Sequence, residues 1–571
     1  MTLKLTPQSD LDALRKEAKR WLKALRAGDP QALDRLARIH PGHGTPVLRV
    51  VQHALALEYG FPGWIALKRE LEDRALATHS HAERVTLFLE KSANRYNVAP
   101  GKAQWNTYEP DKPARGELAA RLLARHPEIA RDSIHSAVAA HDIEAVREFL
   151  AKDPSLANQP GGPDGWTPLL RLAYTRLPID AVTQNAVGIA TALLDHGANA
   201  NASWSDSENN FTVITGVIGG GEGRQTAHPQ AEALSRLLTV HGADPFDAQA
   251  LYNTSLDPDS TFWIELLWSE SDKRGEADRW TTPVNGLGAK LGVSAIDYLL
   301  GNAVPQHPKR VEWLLLHGAN ANTVNAYSKV PVIKHAVLAG AENVVDLLVR
   351  HGAKQPSLSE AETFLAAAMQ SDVATLRRLA DEHPEYLRGP HALFAAIRQR
   401  RTDIAELLLG LGMSPNVADH KGFSALHFTT HCGADGIATL LIARGADVDA
   451  VEHSYNSTPL GHAHYQGRPE MMAAIAPFSR DIRGLCFSGA IDRLAELFAA
   501  DRSLASATTR GNEAPLFALP DDDERAVDVA ELLIAHGADP SVKNAAGITP
   551  AQAAKKRGLD EAAATISAAE L

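Results

Sequence analysis

The chain has 571 residues, 44% of them hydrophobic and 22% charged, which is globular composition with ample apolar content for a core. With 57 basic residues against 69 acidic ones, neither nucleic acid nor an anionic membrane surface is expected as the main partner, because both select a basic face. Two cysteines, Cys432 and Cys486, are too few for a disulfide framework, no apolar run approaches the roughly 20 residues a bilayer requires, and MTLKLTPQSDLDALRK has no leader-like apolar core; a cytoplasmic protein is the expectation.

Helical spacing begins with Leu14, Ala18 and Leu22, resumes at Leu48 and Val51, breaks at EYGFPGW (58–64) and restarts at Trp64. Residues 1–75 therefore read as a small head of three or four helices. Residues 76–132 are transitional, with one helix expected over His81–Tyr96, a second over Gly116–Arg125 and a polar loop between them; the segment has the character of a degenerate first repeat. Beyond about residue 133 one phrase recurs: LLDHGANAN (193–201), LLTVHGADP (237–245), LLLHGANAN (314–322), LLVRHGAK (347–354), LLLGLGMSPN (407–416), ATLLIARGADVD (438–449) and LLIAHGADPS (532–541). Its turn glycines, at 197, 242, 318, 352, 412, 445 and 537, are spaced at multiples of about 33 residues with insertions, the mark of a stacked repeat. Glycine stops a helix in the left-handed conformation, and the preceding histidine offers a donor to the last carbonyls. Degenerate versions, KDPSLANQ (152–159), EHPEYLRGP (382–390) and ADRSLASAT (500–508), supply units that the glycine count skips. Units over 133–353 are irregular; those over 354–571 are more regular, with a bend expected near KQPSL (354–358). The last unit carries charge where an inner one would be apolar, as a water-facing cap would.

Four units also open their first helix with a Thr-Pro-Leu-His-like phrase: Thr167-Pro168-Leu169-Leu170, Ser424-Ala425-Leu426-His427, Thr458-Pro459-Leu460-Gly461 and Thr549-Pro550-Ala551. With these offsets the chain resembles an ankyrin-repeat protein over about 133–571. The resemblance implies an all-α ankyrin-repeat solenoid of helix-turn-helix units with short finger loops, preceded by the small N-terminal helical domain. That head is similar to heads on some large bacterial ankyrin-repeat proteins, to which no chemistry is assigned. The implied work is recognition of another protein through fingers and concave helices, without a cofactor.

Departures from the repeat are where a rigid frame acquires specificity. Three stand out: an enlarged finger over 202–210, the glycine-rich GGGEGRQTAH (219–228), and the polar stretch 269–291. The glycine-rich loop lacks the lysine and the preceding strand of a phosphate loop, and reads as an inter-helix connection. Aromatic and amide residues gather in this region, and Trp204, Asp206, Asn209, Asn210, Gln249, Tyr252, Asn253 and Trp280 form one candidate binding surface. A second is a histidine-rich stretch over 420–464, with His427, His431 and Tyr455 as its candidates. His427 and His431 have the i, i+4 spacing of zinc proteases, but Phe428 stands where the general-base glutamate belongs, and His427 falls on the repeat's own histidine. His462 and His464 point apart, and Cys432 beside His431 reads as a small residue at a turn. No metal site and no catalytic residue is assigned. The leading expectation is a protein-interaction scaffold or regulator. The alternative is an enzyme or small-molecule binder whose pocket is formed by the insertions over 203–290.

Overall fold

A computed structural model describes residues 3–6, 11–39, 48–96, 113–205, 209–221, 225–256, 259–283, 286–508 and 513–570. The fold is an all-α ankyrin-repeat array; among the described residues its one sheet is a small hairpin. The chain divides into two compact units, one of Met1–Leu67, Leu338–Gly340 and Ser357–Leu571, the other of Lys68–Val337 and Ala341–Pro356.

One repeat shows how the sequence makes the unit. Ser424 caps the helix Ala425–Cys432 by accepting from the His427 amide, and Gly433 ends it in the left-handed region. The helix Asp435–Ala443 returns, Gly445 (φ +84°) turns the chain, and the finger follows. The phrase-ending histidines bond backward as expected: Nδ1 of His196, His241, His317 and His536 lies 2.7–2.9 Å from the carbonyl oxygen four residues earlier. The finger asparagines link neighbouring units. Asn201 donates to the Gly242 carbonyl (2.8 Å) and accepts from the Asp244 amide (2.8 Å), and Asn322 and Asn416 repeat the pattern on the Gly352 and Gly445 turns. Each asparagine thus occupies both polar groups of the next turn, which would otherwise meet only water. First helices pack side by side, second helices do likewise, and one continuous apolar core runs from Phe364 to Ile566.

In that same unit the head contributes the helices Leu11–Arg26, Pro30–Ile39 and Leu48–Glu58, closed around Arg35, which bridges Glu17 (2.8 Å) and Glu58 (2.5 Å). The expected water-facing cap at the array's end is instead covered by this head. Arg15 Nε lies 2.8 Å and Lys19 Nζ 2.9 Å from the nearly buried Glu561 carboxylate, and Arg15 also reaches Asp560 at 3.0 Å. The charge in the last repeat is there to meet opposite charge.

The other unit departs from expectation at its start. The helix His81–Ser92 ends four residues early, and residues 93–96 become a non-helical strap that closes with Tyr96 at φ +52°. The Asn94 amide donates to the Tyr174 carbonyl and the Arg176 amide to the Ser92 carbonyl, both at 2.9 Å. Arg95 and Arg171 share Asp164, whose side chain has no exposure, and Tyr96 stacks on Phe211 at 5.1 Å. The enlarged finger is a two-stranded hairpin, Ser203–Ser205 with Asn210–Thr212, that pairs Trp204 with Phe211.

Candidate functional site

The helices His391–Arg398, Ala425–Cys432, Pro459–Tyr465 and Ile482–Ser488 are consecutive first helices and lie in a row. Ring-bearing side chains on these helices, with Phe423 just before the second, form a ladder in two stretches. Phe394 stacks on Phe428 (4.6 Å), Phe428 meets Phe423 (6.3 Å), Phe423 meets His462 edge-on (5.3 Å), and His464 stacks on Phe487 (4.4 Å). At this end of the ladder lies a cavity of about 770 Å³, walled by Phe423, His462, His464 and Phe487 and rimmed by Tyr455 and Tyr465. The two tyrosines are 80% and 86% exposed, unusual for rings of this size and the feature that marks the site.

Tyr455 is held out by its finger, and the finger is held by Glu452. That carboxylate is 1% exposed and accepts from the amides of Ser454 (2.6 Å), Tyr455 (2.8 Å) and Ser457 (3.3 Å), with His462 Nε2 at 3.5 Å. Burial alone would raise its pKa; the finger amides and His462 together outweigh that and keep it below the ordinary carboxylate value. Burial lowers the pKa of His462 and of His464, against the pull of Glu452 on the first and of Asp521 on the second, so both rings are neutral at neutral pH. The chemistry on offer is aromatic faces, hydroxyl and amide groups, and the Arg483 guanidinium over Phe487 (5.5 Å). This is equipment for binding.

Of the histidine-rich candidates, the structure brings His431 and Tyr455 together on this cavity. His427 lies beneath, fully buried, its Nδ1 against Ser424 Oγ (2.8 Å) and its Nε2 donating to the Ser457 carbonyl of the next unit (3.1 Å). Both nitrogens serve the frame. Among the described residues no group of three potential ligands could hold a metal ion. Cys432 is half-buried at its turn with its thiol pKa raised by burial.

The candidates over 203–290 are not brought to one surface. Trp204 packs between Trp166 (5.6 Å) and Phe211 (4.4 Å), in the same core as Tyr174. Trp280 is fully buried in a second core and donates from Nε1 to Ser271 Oγ (3.0 Å). Tyr252 packs on a third cluster with Tyr298. Asn253 is buried, donating to the Gly219 carbonyl (2.8 Å) and accepting from Gln249 (2.9 Å). Asn209 and Asn210 are exposed on the hairpin; Asp206 lies outside the described residues. The nearby Asp247 has its pKa raised by burial, yet it accepts from the Ala250 amide (2.7 Å) and Thr215 Oγ1 (2.9 Å) as a helix cap.

The sequence reading passed over Phe423, Phe487 and Arg483. A usable signal existed in Phe394 and Phe428, which hold the same place in successive first helices, HALFAAIR and ALHFTTHC.

Comparison with known proteins agrees with this architecture. Residues 364–452 and 393–483 match the family model for ankyrin repeats (3 copies), a region that includes most of the cavity's lining but not Phe487. The chain is 26% identical over 222 residues to the B-cell lymphoma 3 protein homolog of Mus musculus, covering 39% of this chain and 39% of that protein. It is 26% identical over 179 residues to the ankyrin repeat protein nuc-2 of Neurospora crassa, covering 30% of this chain and 17% of that protein. The chain thus spans well under half the length of either relative. The crystal structure of EF0377, an ankyrin-repeat protein, aligns at 24% identity with a TM-score of 0.25, over 31% of this chain and 96% of that one. No helix among the described residues is long and apolar enough to cross a membrane.

Proposed function

We propose that the protein is a recognition scaffold for another protein, and that its contact surface is the aromatic groove over 423–487, with Tyr455 and Tyr465 as rim anchors. One observation carries the reading: two nearly fully exposed tyrosines stand at the mouth of a large cavity within a rigid row of helices. Tyrosine offers broad contact area at low entropic cost and a hydroxyl to fix register, which is why it dominates binding surfaces. Ankyrin repeats in general mediate protein–protein interaction, and one of the two matched relatives is an ankyrin repeat protein by name, which supports the same class of work here. The alternative, a pocket made by the insertions over 203–290, requires Trp204, Tyr252 and Trp280 to leave three separate packed clusters. A reducing compartment such as the cytoplasm suits two unpaired cysteines.

The reading is tested by placing a photo-crosslinking amino acid at Tyr465 and, as a control, at the exposed Val240 on an outer helix. The expected outcome is a polypeptide adduct at 465, abolished by Tyr455→Ala, and none at 240. Equal labelling at both positions would refute the groove as the contact surface.

A further inference from the structure

Beyond the groove, the other unit holds a surface that the chain itself already occupies. We infer that the strap over 93–96 is a tethered stand-in for a partner segment, and that the surface beneath it takes a polypeptide in which an arginine directly precedes an aromatic residue.

The strap is engaged as a bound peptide would be, by two consecutive repeats. Ala93 forms a single antiparallel bridge with Thr175, just past the first helix Pro168–Tyr174. On either side of it the Asn94 amide donates to the Tyr174 carbonyl and the Ser92 carbonyl accepts from the Arg176 amide, both at 2.9 Å. The two large side chains then meet different chemistry. Arg95 pairs with Asp164, whose side chain has no exposure. Tyr96 stacks on Phe211 (5.1 Å) and stands edge-on to Tyr174 (6.1 Å). Its hydroxyl lies 3.4 Å from the Thr215 carbonyl, in the first helix of the next unit, and 3.4 Å from Asn253 Nδ2. Arg95 and Tyr96 are 5% and 9% exposed, so the surface closes over both groups. A buried carboxylate beside an aromatic floor selects a guanidinium followed by a ring.

Two features make the strap exchangeable with an outside segment. First, Asp164 has a second cation that stays in place. Arg171 is fully buried, binds Asp164 Oδ2 (2.7 Å), donates to the Leu89 carbonyl (3.0 Å) and lies over the Trp166 ring (4.9 Å). When Arg95 departs, Arg171 still neutralises the carboxylate, and no buried charge is left unpaired. Second, Tyr96 has φ +52°, a left-handed backbone that a residue with a side chain adopts at a cost. A free peptide that ends at its aromatic residue can relax there and keep the contacts. What favours the strap is its tether, which acts as an effective concentration on the order of 1 mM. The strap therefore sets a threshold that only a segment bearing both groups overcomes.

The test uses the full chain and three fluorescein-labelled, amidated hexapeptides: KSANRY, which is the sequence over 91–96, KSANEY and KSANRS. Arg95→Ala/Tyr96→Gly empties the surface while Asp164 keeps Arg171. KSANRY is expected to bind this variant at least tenfold more tightly than it binds the unaltered chain. It should also exceed KSANEY and KSANRS on the variant by at least tenfold. Circular dichroism establishes that the variant is folded, and a second measurement needs no variant. In the unaltered chain, excess KSANRY is expected to speed hydrogen exchange of the Asn94 amide at least fivefold, and excess KSANEY to leave it unchanged. If the variant unfolds, the exchange of Asn94 decides alone. The inference is overturned if the folded variant binds the three peptides alike, if it binds KSANRY no more tightly than about 1 mM, or if exchange at Asn94 does not respond to KSANRY. Crosslinking at Tyr465 reads the groove separately, so failure here leaves that reading standing.

Discussion

Single residues decide whether the site is presented. Glu452 trades the solvation of its carboxylate for three finger amides, and the finger carries Tyr455. Glu452→Ala leaves those amides without their acceptor and is expected to destabilise the protein by about 2 kcal/mol, read by urea unfolding, and to abolish crosslinking at 465. Buried histidines give the other unit a pH dependence. Burial takes His141 down to about 4 and His228 to about 2, each with Nε2 lacking a hydrogen-bond partner. The unfolded chain binds these protons near pH 6.5, so the folded state is fully favoured above that value and loses stability as pH falls toward the folded pKa. At pH 5 the His141 contribution alone amounts to a loss of about 2 kcal/mol. The comparison is the urea midpoint at pH 7.5 and pH 5.0, and His141→Asn, which keeps the left-handed backbone of this position, is expected to recover part of the difference. An unchanged midpoint across that range would contradict the burial argument. None of this was legible in advance: the histidine at 427 could be placed by its motif, but His141 and His228 are buried by contacts between segments 87 residues apart.

At the scale of elements, the repeat phrase was readable because its chemistry is local. A glycine turn, a backward-bonding histidine and a finger asparagine all act within one unit or on the next. The strap at 93–96 was not readable, because what ends its helix is non-local: Asp164 draws in Arg95, and Phe211 receives Tyr96. Trp204 looked like a surface residue in the sequence and is instead half-buried against the core, because Trp166 and Phe211, the latter also holding Tyr96, pack on its ring. Asp164→Asn removes the charge that Arg95 and Arg171 share at almost no exposure. A loss of roughly 3–5 kcal/mol is expected, seen as an earlier thermal transition with crosslinking at 465 retained. A loss below about 1 kcal/mol would mean the guanidinium groups find other acceptors. The aromatic ladder shows the middle case: Phe394 and Phe428 repeat visibly in sequence, whereas Phe487 reaches the cavity from a different position on its helix.

For the molecule as a whole, the consequential contact in the first unit is between the head and the last repeat. Repeat arrays are stable as sums of neighbour interfaces, and an end without a neighbour is the weakest place. Here Arg15 and Lys19 supply that neighbour through Glu561. Glu561→Arg is expected to release the head, seen as faster proteolysis within residues 1–67, while the groove repeats stay resistant. Arg15→Glu/Lys19→Glu in the same chain should restore protection. Unchanged cleavage in the single variant would show that apolar packing holds the head without these pairs.

The groove's aromatic ladder is made of phenylalanine, tyrosine and histidine, and no tryptophan occurs anywhere from residue 357 to 571. The repeats that would do the recognising are therefore dark at the wavelengths where indole emits. Trp21 and Trp64 report from the head, and six of the others report from the second unit. A partner segment bringing its own tryptophan into the cavity would consequently carry the only indole signal arising there, so its emission shift can be followed directly against those fixed reporters.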